Sequence, residues 1–180
     1  MGKVMIHATV TVDGFMADPA GGVDWMFDFP SDDIDDQVVS SVVGEIGAVV
    51  GGANKTQTIE DGEIPYGGMI KVPMYLMTHR PHEPIVRDEI TYTFVVDDIR
   101  QAVDAAKAAA AEKTVSLLGG SIARQCLQLG LVDEIHLDVV PILLGDGIPL
   151  FTGLGQRVDL ERIHTSAYAA EAHLVYRVVR

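Results

Sequence analysis

The chain has 180 residues, the size of one domain with a substantial core, and a single domain over 1–180 is expected. It is 48% hydrophobic and 22% charged, close to soluble globular proteins, which excludes global disorder. Lys and Arg number 13 against 26 Asp and Glu, a formal net charge of −13. That sign is wrong for a nucleic-acid partner, whose phosphates need cations. A small anion in one local pocket remains compatible with it.

Cys126 is the single cysteine, which excludes a disulfide framework and a Cys-rich zinc site. Residues 1–10 hold no long apolar core and no cleavage signal, so they do not read as a secretory leader. Ile6 stands where a myristoylation pattern needs a hydroxyl residue. No apolar run approaches the ~18 residues of a membrane span. The expectation is a soluble cytoplasmic protein with no membrane partner.

In chain order, Val4 to Val12 is rich in Val, Ile, Met and Thr and ends at Asp13-Gly14, a strand and turn. Asp18 to Gly22 is a loop. Ile34, Val38, Val42 and Ile46 recur every four residues, which predicts an amphipathic helix. Ala48 to Val50 reads as a short buried strand ended by Gly51-Gly52, and Asp61 to Gly68 as a loop. Pro73 to Met77 and Tyr92 to Val96 are further strands. Asp97 is expected to cap a helix running to about Glu112, with Asp98 in its first turn. The strand Thr114 to Leu118 stops at Gly119-Gly120-Ser121. A helix follows through Leu129, closed by Gly130. Ile135 to Ile142 is a strand, and Arg162 to Tyr168 with His173 to Val179 form a closing pair around a turn at Ala169 to Ala172.

Short apolar strands alternating with helices imply a mainly parallel sheet covered on both faces. The fold class is therefore a three-layer α/β/α sandwich with a C-terminal antiparallel edge. Ligands in such sheets bind beyond the carboxyl ends of the strands. The loops after Val12, Val50, Met77, Leu118 and Ile142 should then share one rim.

The strongest local signal is Val115 to Ile122. A strand passes through two glycines into a helix start, where free amides and the helix dipole favour an anion. Ser121 can cap that helix or donate to an oxygen. The same residues also suit a tight turn that binds nothing. Lys55, Arg80 and Arg124 follow three of the rim strands and can converge there. Neither G-x-G-x-x-G nor a P-loop pattern occurs, which argues against a standard dinucleotide fold and a P-loop NTPase. His79 and His82 have H-x-x-H spacing without a ligand set around them. Cys126 shares an apolar helix face with Ile122 and Leu129 and reads as packing.

Together these segments resemble a known family. Thr11 to Ala17, Asp24-Trp25 and Leu76 to Pro81 look like the dihydrofolate-reductase-like superfamily. Gly119 to Ser121, Gly130 to Ile135, Pro141 to Gly147 and Leu150-Phe151 are similar to the reductase domain of the bifunctional riboflavin-biosynthesis deaminase/reductase and its stand-alone relatives. The resemblance covers essentially the whole chain. It implies an NADPH-dependent oxidoreductase, commonly a homodimer, that transfers hydride to a small pyrimidine- or pterin-related heterocycle.

Matched position by position, it implies cofactor contacts at Gly119, Gly120, Ser121 and Ile122 on the pyrophosphate side. Thr78, His79 and Arg80 would meet the adenosine end, and Ala8, Thr9 and Ala17 the nicotinamide. Leu144, Gly145 and Gly147 would border the substrate, with Trp25 beside it. Where the family often carries Gly-Arg-x-Thr, this chain has Gly51 to Thr56 with no Arg, and Lys55 stands in as a point charge. Dihydrofolate reductases place a carboxylate shortly after a Trp. The spacing from Trp25 to Asp32 is two residues wider, and Asp32 is the candidate proton donor. The family's deaminase half needs Cys ligands to zinc that one cysteine cannot supply. Two alternatives follow from the same resemblance: a dihydrofolate or pterin reductase, and a nucleotide-binding protein that kept the fold and lost catalysis.

Overall fold

The computed structural model describes residues 2–29, 40–53, 69–168 and 170–180. The strands in chain order are β1 (Val4–Thr11), β2 (Phe15–Ala17), β3 (Ile46–Gly52), β4 (Met74–Thr78), β5 (Ile85–Arg87), β6 (Ile90–Val96), β7 (Thr114–Leu117), β8 (Glu134–Val140), β9 (Ile148–Pro149), β10 (Leu160–Tyr168) and β11 (Glu171–Val178). The helices are α1 (Ile99–Ala110) and α2 (Gly120–Gln128), with a 3-10 turn over Asp24–Phe27. Residues 40–45 are also helical and lead into β3. The rest of the helix expected from Ile34 lies outside the described residues.

Nine strands form one sheet in the order β10-β11-β8-β1-β7-β3-β4-β6-β5. The central pairs, from β8 to β6, are parallel. The expected C-terminal antiparallel edge is present, with β10 on β11 and β11 on β8. A second antiparallel edge, β5 on β6, was not anticipated. Nor was the small sheet in which β2 pairs β9.

The layers follow from the strand period of two. On β1, Val4 and Ile6 face α1 and α2 and pack with Val103, Ala106, Ile122 and Cys126. Met5 faces the other way, into a cluster with Val49, Met74, Leu76, Tyr92 and Val43, the last from residues 40–45. Helix α1 buries Ile99, Ala102, Val103, Ala106 and Ala110, one stripe at helical spacing. Burial pushes the Cys126 thiol up to about 12, as a packing residue requires.

Two expected caps are corrected. Asp98, not Asp97, caps α1: it is extended at φ −123° and its carboxylate accepts the Gln101 amide at 3.0 Å. Asp97 takes a left-handed φ of 54° at the end of β6 and faces His79 instead. Helix α2 begins at Gly120 with Gly119 at its cap position and no side-chain cap. Ser121 lies inside the first turn, within 3.5 Å of Gln125 Nε2. Gly130 closes this helix at φ 66°, as expected.

Candidate active site

Strand β1 pairs with β7 only from Val4↔Val115 to Ile6↔Leu117. Beyond that point β1 stays with β8 as far as Thr11↔Val140. The end of β7 stays with β3, where Leu118 donates its amide to the Val50 carbonyl at 2.8 Å. The sheet therefore splits along its middle, toward the carboxyl ends of its strands. A cleft of about 140 Å³ opens there. Residues 6–9 of β1 and residues 117–119 face each other across it, and Met16, Val23, Met26, Ala123 and Leu150 close it.

The split brings together three of the residues that the resemblance matched to cofactor positions. Ala8, Thr9 and Gly119 line the cleft. Gly119 has a φ of 93°, which L side chains rarely adopt, and so turns the chain from β7 into α2. At Gly120 a Cβ would sit 3.2 Å from the Leu150 carbonyl oxygen and 3.3 Å from that of Pro149. This glycine lets the β9 segment cross the start of α2. The Ile122 side chain is in the core, so any ligand contact there falls to its backbone. Gly51 lies at the end of β3, next to Leu118.

Thr78, His79 and Arg80 follow β4. The Thr78 hydroxyl accepts the Arg80 amide at 3.1 Å, and His79 Nδ1 is 2.5 Å from Asp97 Oδ1. His82 stacks on Phe94 at 4.9 Å. Among the described residues no cluster of His, Cys, Asp and Glu could hold a metal ion, and no helix is long and apolar enough to cross a membrane. Ala17 is buried in β2 opposite Ile148. Asp32 and Lys55 lie outside the described residues.

Trp25 sits in the turn that sends Val23 and Met26 into the cleft. Its Nε1 is buried and has no acceptor among the described residues. Leu144, Gly145 and Gly147 lie on the loop after β8, joined to the β1–β2 turn by Asp13. Asp13 Oδ1 accepts the Thr11 hydroxyl at 2.5 Å and the Leu144 amide at 3.3 Å, and Oδ2 accepts the Gly145 amide at 2.8 Å. Thr11 Oγ1 in turn accepts the Phe15 amide. The Thr11 hydroxyl has the largest effect and holds the Asp13 carboxyl below its ordinary value; burial opposes it, and the Gly145 and Leu144 amides add smaller lowering effects. From sequence, Asp13 read only as a turn residue. The missed signal was Thr11 two residues before it, a hydroxyl able to orient the carboxylate.

A second polar group was also missed. His7 lines the cleft, and its Nε2 is 2.9 Å from Asp138 Oδ2, while His173 Nδ1 is 2.6 Å from Asp138 Oδ1. Beside them His136 Nε2 is 3.2 Å from Glu134 Oε2, and Lys3 donates to Glu134 Oε1 at 2.7 Å. Burial would raise the Asp138 carboxyl, but hydrogen bonds from His173 and His7 outweigh it and keep it well below the usual carboxylate range. Burial lowers His136 more than Glu134 raises it.

A family model described as the RibD C-terminal domain matches residues 69–174. The chain belongs to the RibD C-terminal domain family. This RibD C-terminal domain is 27% identical over 178 residues to the uncharacterized protein YyaP of Bacillus subtilis (strain 168), covering 93% of this chain and 90% of that one. Its fold is similar to that of a putative riboflavin biosynthesis protein from Shewanella sp. PV-4, with a TM-score of 0.82 at 20% identity over 99% of both chains. It is also similar to the diaminohydroxyphosphoribosylaminopyrimidine deaminase/5-amino-6-(5-phosphoribosylamino)uracil reductase of Thermotoga maritima, with a TM-score of 0.69 at 12% identity. That match covers 99% of this chain and 57% of that one. The family and its structural neighbours relate this RibD C-terminal domain to riboflavin-type reductases, on the mixed α/β fold expected from sequence.

Proposed function

We propose that this chain is an NADPH-dependent reductase of the riboflavin-biosynthesis type, acting on a pyrimidine- or pterin-related heterocycle. The observation that carries the reading is the split between β1 and β7, where Ala8, Thr9 and Gly119 line one cleft at the start of α2. The residues present fit the cofactor. The cleft is mostly apolar and suits one flat ring rather than a whole dinucleotide. The first-turn amides of α2 suit a pyrophosphate. Arg80, exposed after β4, suits a ribose phosphate.

Bound NADPH would supply the hydride. The chain's own part is placement and dryness. Ala8 and Thr9 set the depth of the ring against β1, and Gly119 keeps the opposite wall free of a side chain. Met16, Val23, Met26 and Leu150 keep water from the reacting centre. Asp13 holds Leu144 and Gly145 beside the β1–β2 turn and so fixes the border of the substrate pocket. A homodimer in the cytoplasm belongs to the same reading.

Titration of the purified protein with NADPH and with NADH, followed by cofactor fluorescence, tests it. NADPH is expected to bind more tightly than NADH, and both Arg80→Ala and Ser121→Ala should weaken it. Binding of neither cofactor removes the reading.

A further inference from the structure

His79 and Asp97 meet where β4 and β6 end together. The last pair of that parallel register is Thr78↔Val96, so both residues leave the sheet on the rim shared with the ends of β3 and β7. Two features fix Asp97 there. Its amide donates to the Thr78 carbonyl at 3.1 Å, and its left-handed φ of 54°, which Asp tolerates better than most residues, turns the chain toward α1. Its carboxylate oxygen lies 2.5 Å from His79 Nδ1. Arg80 follows at once, its amide held by the Thr78 hydroxyl.

An ionised carboxylate only accepts hydrogen bonds, so Nδ1 carries the proton of the neutral His79 ring. Nε2 is then a lone-pair acceptor. It suits a hydroxyl, such as the 2′-OH of a ribose, and opposes the oxygens of a 2′-phosphate. A second proton reverses this. Nε2–H becomes a charged donor, which suits the phosphate and no longer accepts from the hydroxyl. The His79 side chain is 95% exposed, so Nε2 is open to a ligand. The other charged or titratable groups at this corner are Arg80, Asp98 at the cap of α1, and His82 and Glu83 further along the loop. Lys55, after the neighbouring β3, lies outside the described residues.

We propose that the His79–Asp97 pair couples the choice between a 2′-phosphorylated and an unphosphorylated adenosine cofactor to uptake of one proton. This rests on the reductase reading, in which the loop after β4 meets the adenosine end of the cofactor. It adds a specificity residue, His79, and a positioning residue, Asp97, which selects the ring nitrogen offered to the ribose. Two strand spacings, roughly 10 Å, separate the end of β7 from the end of β4, a span that a dinucleotide covers. The Arg80 guanidinium gives a standing preference for phosphate, because arginine keeps its charge throughout. The imidazole adds a part that changes with pH.

The test uses adenosine 2′,5′-bisphosphate and adenosine 5′-monophosphate, which report on this end of the site alone, beside NADPH and NADH. Dissociation constants are measured at pH 8 and at pH 6 for the native protein, His79→Asn and Asp97→Asn. The 2′-phosphate titrates in the same range, and His79→Asn retains that contribution. From pH 8 to pH 6 the preference for the 2′-phosphorylated member should therefore gain roughly 3-fold in the native protein relative to His79→Asn, the worth of an exposed charge pair. Asp97→Asn should strengthen the phosphorylated members more at pH 8 than at pH 6, because Nδ1 no longer has to hold the proton. Mere loss of a negative charge would strengthen them equally at both. Imidazole 15N spectra of the free protein should place the neutral His79 proton on Nδ1, and no longer on that nitrogen alone in Asp97→Asn. Parallel pH dependence in the native protein and His79→Asn, or a native spectrum with the proton on Nε2, overturns the proposal. Either result leaves the reductase reading standing as long as NADPH binds. If none of the four ligands binds, both fall.

Discussion

Asp13 and Gly145 are 132 residues apart in sequence, yet the Asp13 carboxylate accepts the Gly145 amide at 2.8 Å. This contact joins the turn after β1 to the loop after β8. Asp13→Asn removes the charge and one acceptor oxygen. The amides of Leu144 and Gly145 should then exchange with deuterium faster than in the native protein, while those of β1 and β8 keep their protection. With a turned-over heterocycle, KM should rise more than kcat falls. The sign of the pH effect follows from the lowered carboxyl. The clasp is fully formed above the ordinary carboxyl value of 3.8 and is lost as pH falls through the lower folded-state value. Unchanged loop exchange in Asp13→Asn would show that the clasp does not hold the loop.

Asp138 is shared by two histidines from different strands and is largely removed from water. Asp138→Asn leaves both rings without their anion, and removing one partner of a buried pair costs roughly 3 kcal/mol. Urea unfolding at neutral pH should show the midpoint fall with the slope preserved. The native carboxyl is depressed, so its contribution is complete above about pH 4 and disappears as acid protonates it in the folded state. The variant should therefore lose less stability than the native chain on further acidification below about pH 4.

His136 acts in the opposite charge sense. Its folded-state value lies below the ordinary 6.5, so the unfolded chain binds this proton more readily. Stability should fall as pH drops below 6.5 on this account, and His136→Gln should flatten that part of the profile. Urea midpoints at pH 7 and pH 5 for both proteins decide it. Parallel profiles would assign the acid sensitivity to other groups.

Gly147 meets β2 closely: a Cβ there would lie 2.4 Å from the Ala17 carbonyl oxygen. Gly147→Ala must push β9 off β2. A cost of about 2 kcal/mol is expected, typical of forced overpacking. Thermal unfolding measures it, with Gly145→Ala as the comparison, because nothing crowds a Cβ at that position although its φ of 74° is itself unfavourable.

Cys126 is fully buried and its thiol is pushed up to about 12. At pH 8 it should resist thiol reagents in the folded protein and react completely in denaturant. Rapid labelling of the native state would mean that α2 opens readily.

Much of the sheet was legible because its strands are apolar runs bounded by glycine, as at Val4 to Thr11 before Asp13-Gly14 and Thr114 to Leu117 before Gly119-Gly120. The cap of α1 was ambiguous by composition. Asp97 and Asp98 have the same side chain, and only the backbone at each decides which one faces the first turn. Strands β2 and β9 were invisible because two or three residues carry no periodic signal, and their pairing spans most of the chain. The His7, Asp138 and His173 group is a product of register. Asp138 stands directly opposite His173 on β11 and opposite Thr9 on β1, one step along the same face from His7. Sequence spacing holds no trace of this until strand order is known. The Gly119-Gly120 pair was found correctly as the turn into α2. What it could not reveal was that Gly120 also admits a crossing strand.

The two outermost strands of the sheet have a bearing on how the protein behaves at high concentration. A nine-stranded sheet offers two margins where a foreign chain can dock its backbone. One margin, β5, is only three residues long. The other, β10, carries exposed Glu161, Arg162 and His164, with an irregularity in its pairing between Arg162 and His164. Neither presents a long, flat, uncharged template. Sticking between molecules through their sheet margins is thereby discouraged, and the wide sheet needs no covering helix at either side to stay dispersed.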